Sequence, residues 1–199
     1  MVAKPEALEP AALTRLIRAW KQGDLDARDA SMKQLYSSLR DQAAYILRSQ
    51  HQGGTLNPTA LVNEVFIRLD KAQFDTPSQH AFRALSGRAM RNVLISHIRA
   101  KNAAKRDGIE VTVTLSAIGG EERAMSAESL LDLSNALEAL EALDARCYRL
   151  CEGHYFAGLT YPELAEMEGV SEATVTRDLR FARAWLKTRL SDDRSDDSE

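Results

Sequence analysis

Apolar residues recur at helical spacing along almost the whole chain, and a two-residue alternation is confined to the short Val111-Thr112-Val113-Thr114-Leu115. That restricts the fold to packed helices. The pattern is sharpest near the C-terminus, in LTYPELAEMEGVSEATVTRDLRFARAWLK at Leu159 to Lys187. Leu164, Ala165 and Met167 give a short helix one apolar face, Gly169 turns the chain, and Val170 plugs the angle. Ser171 is placed to cap a second helix, with Thr174 three residues on. In that helix Val175, Leu179, Ala182 and Leu186 share one side, opposite Glu172, Thr174, Thr176, Arg177, Arg180 and Arg183. A buried stripe backed by hydrogen-bonding side chains is what a helix-turn-helix needs to enter a DNA major groove.

Upstream, Leu13, Leu16, Ile17 and Trp20 make a first helix ended by Gly23. A second spans about Leu25 to Ser49, with Leu35, Tyr36, Leu39, Ala43 and Ile46 inward, and His51-Gln52-Gly53-Gly54 breaks it. Asn57 caps a third helix and Pro58 takes its first position, where proline is tolerated. Leu61, Val62, Val65, Phe66 and Leu69 form its apolar face. Pro77-Ser78 opens a fourth through Arg106, with Phe82, Leu85, Ala89, Val93 and Ile98 for the core. From Asp107 to about Ser126 the pattern fails, as in a mobile linker. The expected architecture is all-α: a helical domain at 10–106, an acidic flexible linker at 107–128, a helical domain at 129–190 containing the helix-turn-helix, and a disordered acidic tail at 191–199.

The net charge of −3 hides a segregated distribution. Between Thr76 and Arg106 lie seven basic residues (Arg83, Arg88, Arg91, Arg99, Lys101, Lys105, Arg106) and no acid. Asp107 to Asp144 then holds nine acids and one arginine. The basic block is the footprint of a polyanionic partner. No apolar run approaches a membrane span and the N-terminus lacks a signal-peptide core, so a cytoplasmic protein is expected. Cys147, Cys151 and His154 imitate a metal site but lack a fourth ligand; the cysteines read better as small buried hydrophobes. No metal or cofactor is expected. An enzyme is disfavoured as well, because no nucleophile–base set and no phosphate-binding loop stands at suggestive spacing.

Three segments in this order resemble the bacterial sigma factors of the extracytoplasmic-function group, which bring RNA polymerase to promoters. LVNEVFIRL at Leu61 to Leu69 is similar to their helix for the polymerase clamp, which implies docking through Leu61, Asn63, Glu64 and Arg68. FRALSGRAMRNVLISHIRAKNAAKR at Phe82 to Arg106 is similar to their helix for the −10 promoter element. It implies contacts from Arg88, Arg91, Asn92, His97, Arg99 and Lys101, with Arg91, Asn92 and His97 near a pocket for an extruded base. The stretch from Leu140 to Leu186 is similar to their −35 domain, with Glu172, Thr174, Thr176, Arg177 and Arg180 reading bases and Arg183 and Lys187 reaching phosphates. The resemblance implies core RNA polymerase and promoter DNA as partners. A stand-alone regulator that binds operator DNA without polymerase is the alternative. It shares the helix-turn-helix but leaves the acid-free helix and the acidic linker unexplained.

The chain departs from that group in three places. Leu85 and Gly87 stand where tryptophan and tyrosine are usual in the −10 helix, so either Phe82 supplies the base stacking or melting is weaker. Asp178 stands where arginine is common, lowering the charge expected on the reading helix. Asn57-Pro58-Thr59-Ala60 replaces an acidic cluster ahead of the docking Leu-Val pair. Phosphorylation of Thr59, or as second choice Thr55, would restore that charge, since a phosphothreonine carries about −1.5 to −2 and would meet the positive end of the helix dipole. This favours a Ser/Thr protein kinase over an anti-sigma protein as the controlling partner.

Overall fold

The computed structural model describes residues 10–47, 56–71, 78–104, 113–115 and 123–196. Helices dominate: α1 (Pro10–Lys21), α2 (Leu25–Ile46), α3 (Pro58–Lys71), α4 (Gln79–Ala104), α5 (Ala127–Leu143), α6 (Ala145–Cys151), α7 (Tyr161–Glu168) and α8 (Glu172–Asp196). α6 continues directly into a π-helical turn, Glu152–Phe156. The segment expected as a mobile linker contains two three-residue strands, β1 (Val113–Leu115) and β2 (Arg123–Met125). They pair antiparallel with Thr114 opposite Ala124.

Local chemistry sets most helix starts. Gly23 adopts φ 93°, which an L side chain resists, and turns the chain out of α1. Asp24 then accepts the Ala27 N–H at 2.9 Å to begin α2. Asn57 Oδ1 accepts the Ala60 N–H at 2.9 Å, with Pro58 first in α3. Ser78 Oγ accepts the Ala81 N–H at 3.2 Å to open α4. With no glycine or proline after Gly169, α8 runs on to Asp196, through six residues expected in a disordered tail.

The N-terminal helices bury Leu13, Ile17 and Trp20 of α1, Leu35, Leu39 and Ile46 of α2, and Leu61, Val62, Val65, Phe66 and Leu69 of α3. α4 is shared. It packs on α1 and α3 on one side, and on α5, α7 and the π turn on the other. Accordingly Met90, Leu94 and Ile95 are buried beside the expected Phe82, Val93 and Ile98. One continuous apolar core joins the two halves of the chain.

Asp144 ends α5 and begins α6, accepting the Arg146 and Cys147 N–H groups at 3.0 Å each. The Cys147 amide above all holds its carboxyl below the usual range, against a smaller opposing effect of desolvation. A depressed carboxyl stabilises the fold above its unfolded-state range, and that contribution is lost as pH falls through the folded-state value. Asp144→Ala is therefore expected to lower stability by about 1 kcal/mol at neutral pH. In denaturant titrations the gap from wild type should shrink as pH falls below the ordinary carboxylate range, as protonation silences the wild-type cap.

Cys147 and Cys151 are free and buried, and burial pushes both thiols up to about 12. Cys147 Sγ donates weakly to the Asp178 carbonyl at 3.7 Å, and Cys151 lies within the apolar core. Among the described residues, no group of three or more His, Cys, Asp or Glu side chains is placed to hold a metal ion. None of the described helices is long and apolar enough to cross a membrane.

Candidate nucleic-acid and polymerase interfaces

The segment around α7 and α8 is built as its residues dictate. Glu163 reaches back to accept the Thr160 N–H at 2.8 Å, fixing the start of α7. Gly169 sits at φ 66° and donates its N–H to the Ala165 carbonyl, ending that helix. Ser171 Oγ accepts the Thr174 N–H at 3.2 Å and begins α8. Val175, Leu179, Ala182 and Leu186 are fully buried, so the opposite face must look outward. Glu172, Thr176, Arg177 and Arg180 are exposed there, and Thr174 is half-buried with its hydroxyl 3.0 Å from Ser171 Oγ. Thr176 donates its hydroxyl proton to the Glu172 carbonyl at 2.9 Å, leaving its lone pairs and methyl outward.

Two side chains of α8 do not lie as expected. Asp178 is buried and accepts from Arg146 Nε at 2.9 Å, so it braces α8 against α6 and takes no place on the outward face. Its other oxygen accepts from Arg177 Nε at 3.2 Å, which orients an otherwise exposed guanidinium. Arg183 donates to the hydroxyls of Tyr155 at 2.7 Å and Tyr161 at 2.8 Å, tying α8 to the π turn and α7. Lys187 is exposed.

On α3, Thr59, Asn63 and Glu64 are exposed, as is Ile67, while Arg68 is half-exposed. Glu64 lies 3.8 Å from Arg68, one helical turn on. Leu61, expected on the docking face, is fully buried in the N-terminal core. Thr59 is the second residue of α3; Thr55 lies outside the described residues.

α4 divides its basic residues. Asn92 and Arg99 are exposed, and His97 and Lys101 are half-buried. Burial first, and the neighbouring Lys101 charge second, lower the His97 pKa, so its ring is neutral at physiological pH. Lys105 and Arg106 lie outside the described residues. Arg83, Arg88 and Arg91 turn toward the C-terminal half. Arg83 donates to Glu163 at 2.6 Å, and Arg88 meets Glu141 at 3.4 Å with its guanidinium 5.4 Å from the centre of the Tyr148 ring. Arg91 is buried against Glu152, Ser134 and Tyr148. In this conformation Arg91 therefore faces protein. Phe82 is fully buried with its ring 5.4 Å from that of Trp20, so it presents no surface for a base to stack on.

The sequence leaves open whether the two halves pack on one another, and it does not single out the residues of this contact. One signal was present: Glu152 interrupts the apolar run Cys147-Tyr148…Leu150-Cys151…Tyr155-Phe156, and an acid at such a position needs a buried partner.

The last long helix of this helical chain is buried along one side and presents Thr176, Arg177 and Arg180 on the other, a surface suited to a polyanionic partner. A family model described as ECF sigma factor matches residues 10–192, and the chain belongs to that family. It is thus a sigma factor of transcription initiation, with RNA polymerase and promoter DNA as its binding partners. No curated protein matches the chain.

Proposed function

We propose that this sigma factor is an alternative one whose polymerase docking is switched on by phosphorylation of Thr59. In this reading residues 10–106 form the domain that docks on the polymerase clamp and holds the melted −10 strand. Residues 129–190 form the domain for the −35 element, and 107–128 connect them. The exposed residues of α3 (Asn63, Glu64 and Arg68) make the clamp contact. Asn92, His97, Arg99 and Lys101 of α4, with Arg88 and Arg91 once released, contact the −10 strand. Glu172, Thr174, Thr176, Arg177 and Arg180 of α8 read the −35 duplex, and Arg183 supports that helix. The protein works in the cytoplasm with a Ser/Thr protein kinase as its activating partner.

The observation that carries the switch is the start of α3. Thr59 is exposed, stands second in the helix, and follows an Asn-Pro pair without charge. A phosphate there places about −1.5 to −2 charges at the positive end of the α3 dipole, one helical turn before the exposed Asn63.

The test is transcription in vitro with core polymerase and a promoter library, comparing wild type with and without kinase treatment, Thr59→Ala and Thr59→Asp. Treated wild type is expected to exceed Thr59→Ala on the order of tenfold or more, as for one or two charge-assisted contacts. Thr59→Asp should fall between them. Full activity of Thr59→Ala ends the switch while leaving the sigma-factor assignment intact.

A further inference from the structure

The contact between the halves is built around a glycine and a buried ion pair. Gly87 of α4 lies so close to the π turn that a Cβ on it would sit 2.7 Å from the Ala157 nitrogen and 2.9 Å from the Phe156 carbonyl carbon. Only a residue without a side chain permits that approach. One turn further along α4, Arg91 Nε lies 2.7 Å from Glu152 Oε1, and both residues are only 2 % exposed. Arg91 also donates to Ser134 Oγ at 2.6 Å and, more weakly, to the Tyr148 hydroxyl at 3.4 Å. Arg83 and Arg88 pair with Glu163 and Glu141 on either side. Gln42 of α2 adds a bond to the Tyr155 carbonyl at 3.4 Å.

The pairing is specific but imperfectly satisfied. Arg91 Nε and both carboxylate oxygens of Glu152 lack an aligned hydrogen-bond partner, so the contact is an ion pair without hydrogen-bond geometry. Burial holds the Glu152 carboxyl above its ordinary range despite the neighbouring guanidinium. A buried pair of this kind contributes little net stability, because separating the halves rehydrates both charges. It nevertheless fixes one register, since any other leaves an unpaired charge inside. A π turn, an uncommon element that is frequent at functional sites, carries Glu152 into the contact.

We propose that Arg91 and Glu152 form a reversible latch that holds the free protein closed, with the Gly87 face of α4 seated on the π turn and masked from nucleic acid. The masking rests on the assignment of α4 to the −10 strand; the latch itself does not. Opening brings the buried Arg91 and the half-buried Arg83 to solvent beside Arg88, which is already exposed, and frees all three from their carboxylates, leaving a cationic surface. Glu141, Glu152 and Glu163 occupy, in the closed state, the place of the phosphates.

The test uses the full chain and two readouts. Small-angle scattering of the wild type should give a radius of gyration near the value of about 16 Å for a compact chain of this length. Ala157→Leu, an uncharged wedge, and Glu152→Gln, which leaves Arg91 unpaired, should each increase it by several ångström while circular dichroism shows unchanged helix content. Affinity for a fluorescein-labelled, mixed-sequence single-stranded DNA should rise about tenfold in Ala157→Leu. An extended wild type overturns the latch, as do well-folded variants that stay compact. Should a variant lose helix, Glu141→Gln on the exposed rim replaces it, with a smaller expansion expected and none overturning the proposal. Expansion without a gain in DNA affinity upholds the latch and instead refutes α4 as the strand-binding face.

Discussion

Leu61→Ala should melt this protein about 4–20 °C below wild type. Leu61 is fully buried among the apolar residues of α1, α2 and α3. Truncating such a leucine costs about 2–5 kcal/mol, part for the lost transfer energy and part for the cavity. For a chain of this size each kcal/mol lowers the melting temperature by about 2–4 °C, and total stability is only about 5–15 kcal/mol. Asn63→Ala and Glu64→Ala, exposed on the same helix, should change stability by less than about 0.5 kcal/mol. They should instead weaken capture of core polymerase in a pull-down. A variant that melts early without any loss of capture at low temperature marks Leu61 as scaffold. If Leu61→Ala melts with wild type, α3 is not seated as described.

Arg177→Ala combined with Arg180→Ala should reduce transcription from a −35-dependent promoter by about ten- to several-hundred-fold, with the melting temperature nearly unchanged. Both arginines lie on the outward face of α8, away from the Val175–Leu186 stripe. A well-placed base contact discriminates by about 1–3 kcal/mol, and a phosphate contact adds salt dependence. Arg183→Ala makes the contrast. It removes bonds to two tyrosine hydroxyls and should lower stability by about 1–3 kcal/mol, with transcription following the folded fraction. Unchanged promoter use by the double variant, at full occupancy of core polymerase, would remove α8 from DNA reading.

Helix boundaries were legible where a capping chemistry announced them. Asn57-Pro58, Ser78 and Ser171 each begin a helix within a residue or two of where their side chains placed it, because a cap acts on its own backbone. The stripe of α8 was equally plain, since four apolar residues at helical spacing admit one inward face. Cys147 and Cys151 were readable as core for the same reason. The strand pair was only half visible: the alternation at Val111–Leu115 marks β1, whereas its partner Arg123–Met125 has no pattern of its own and exists through pairing.

The surroundings of the charged residues on α4 were not legible in the sequence. Periodicity places Arg91 on one side of a helix and leaves open what lies against that side. Its partner Glu152 is 61 positions away (152 − 91) in the sequence, on a turn whose π geometry has no compositional signature. Asp178 shows the same effect at shorter range: as a residue it lowers the charge of a reading helix, and as a neighbour of Arg146 it fixes how that helix sits.

The order of residues alone determined that this chain is helical, where its helices begin, which faces are apolar, and that its charge is segregated, because these are interactions within a few positions. Which basic groups reach solvent, and that one helix serves both halves of the molecule, was decided only by tertiary packing. Coulomb attraction and close contact depend on distance in space, and the approach at Gly87 brings together groups that no local pattern connects.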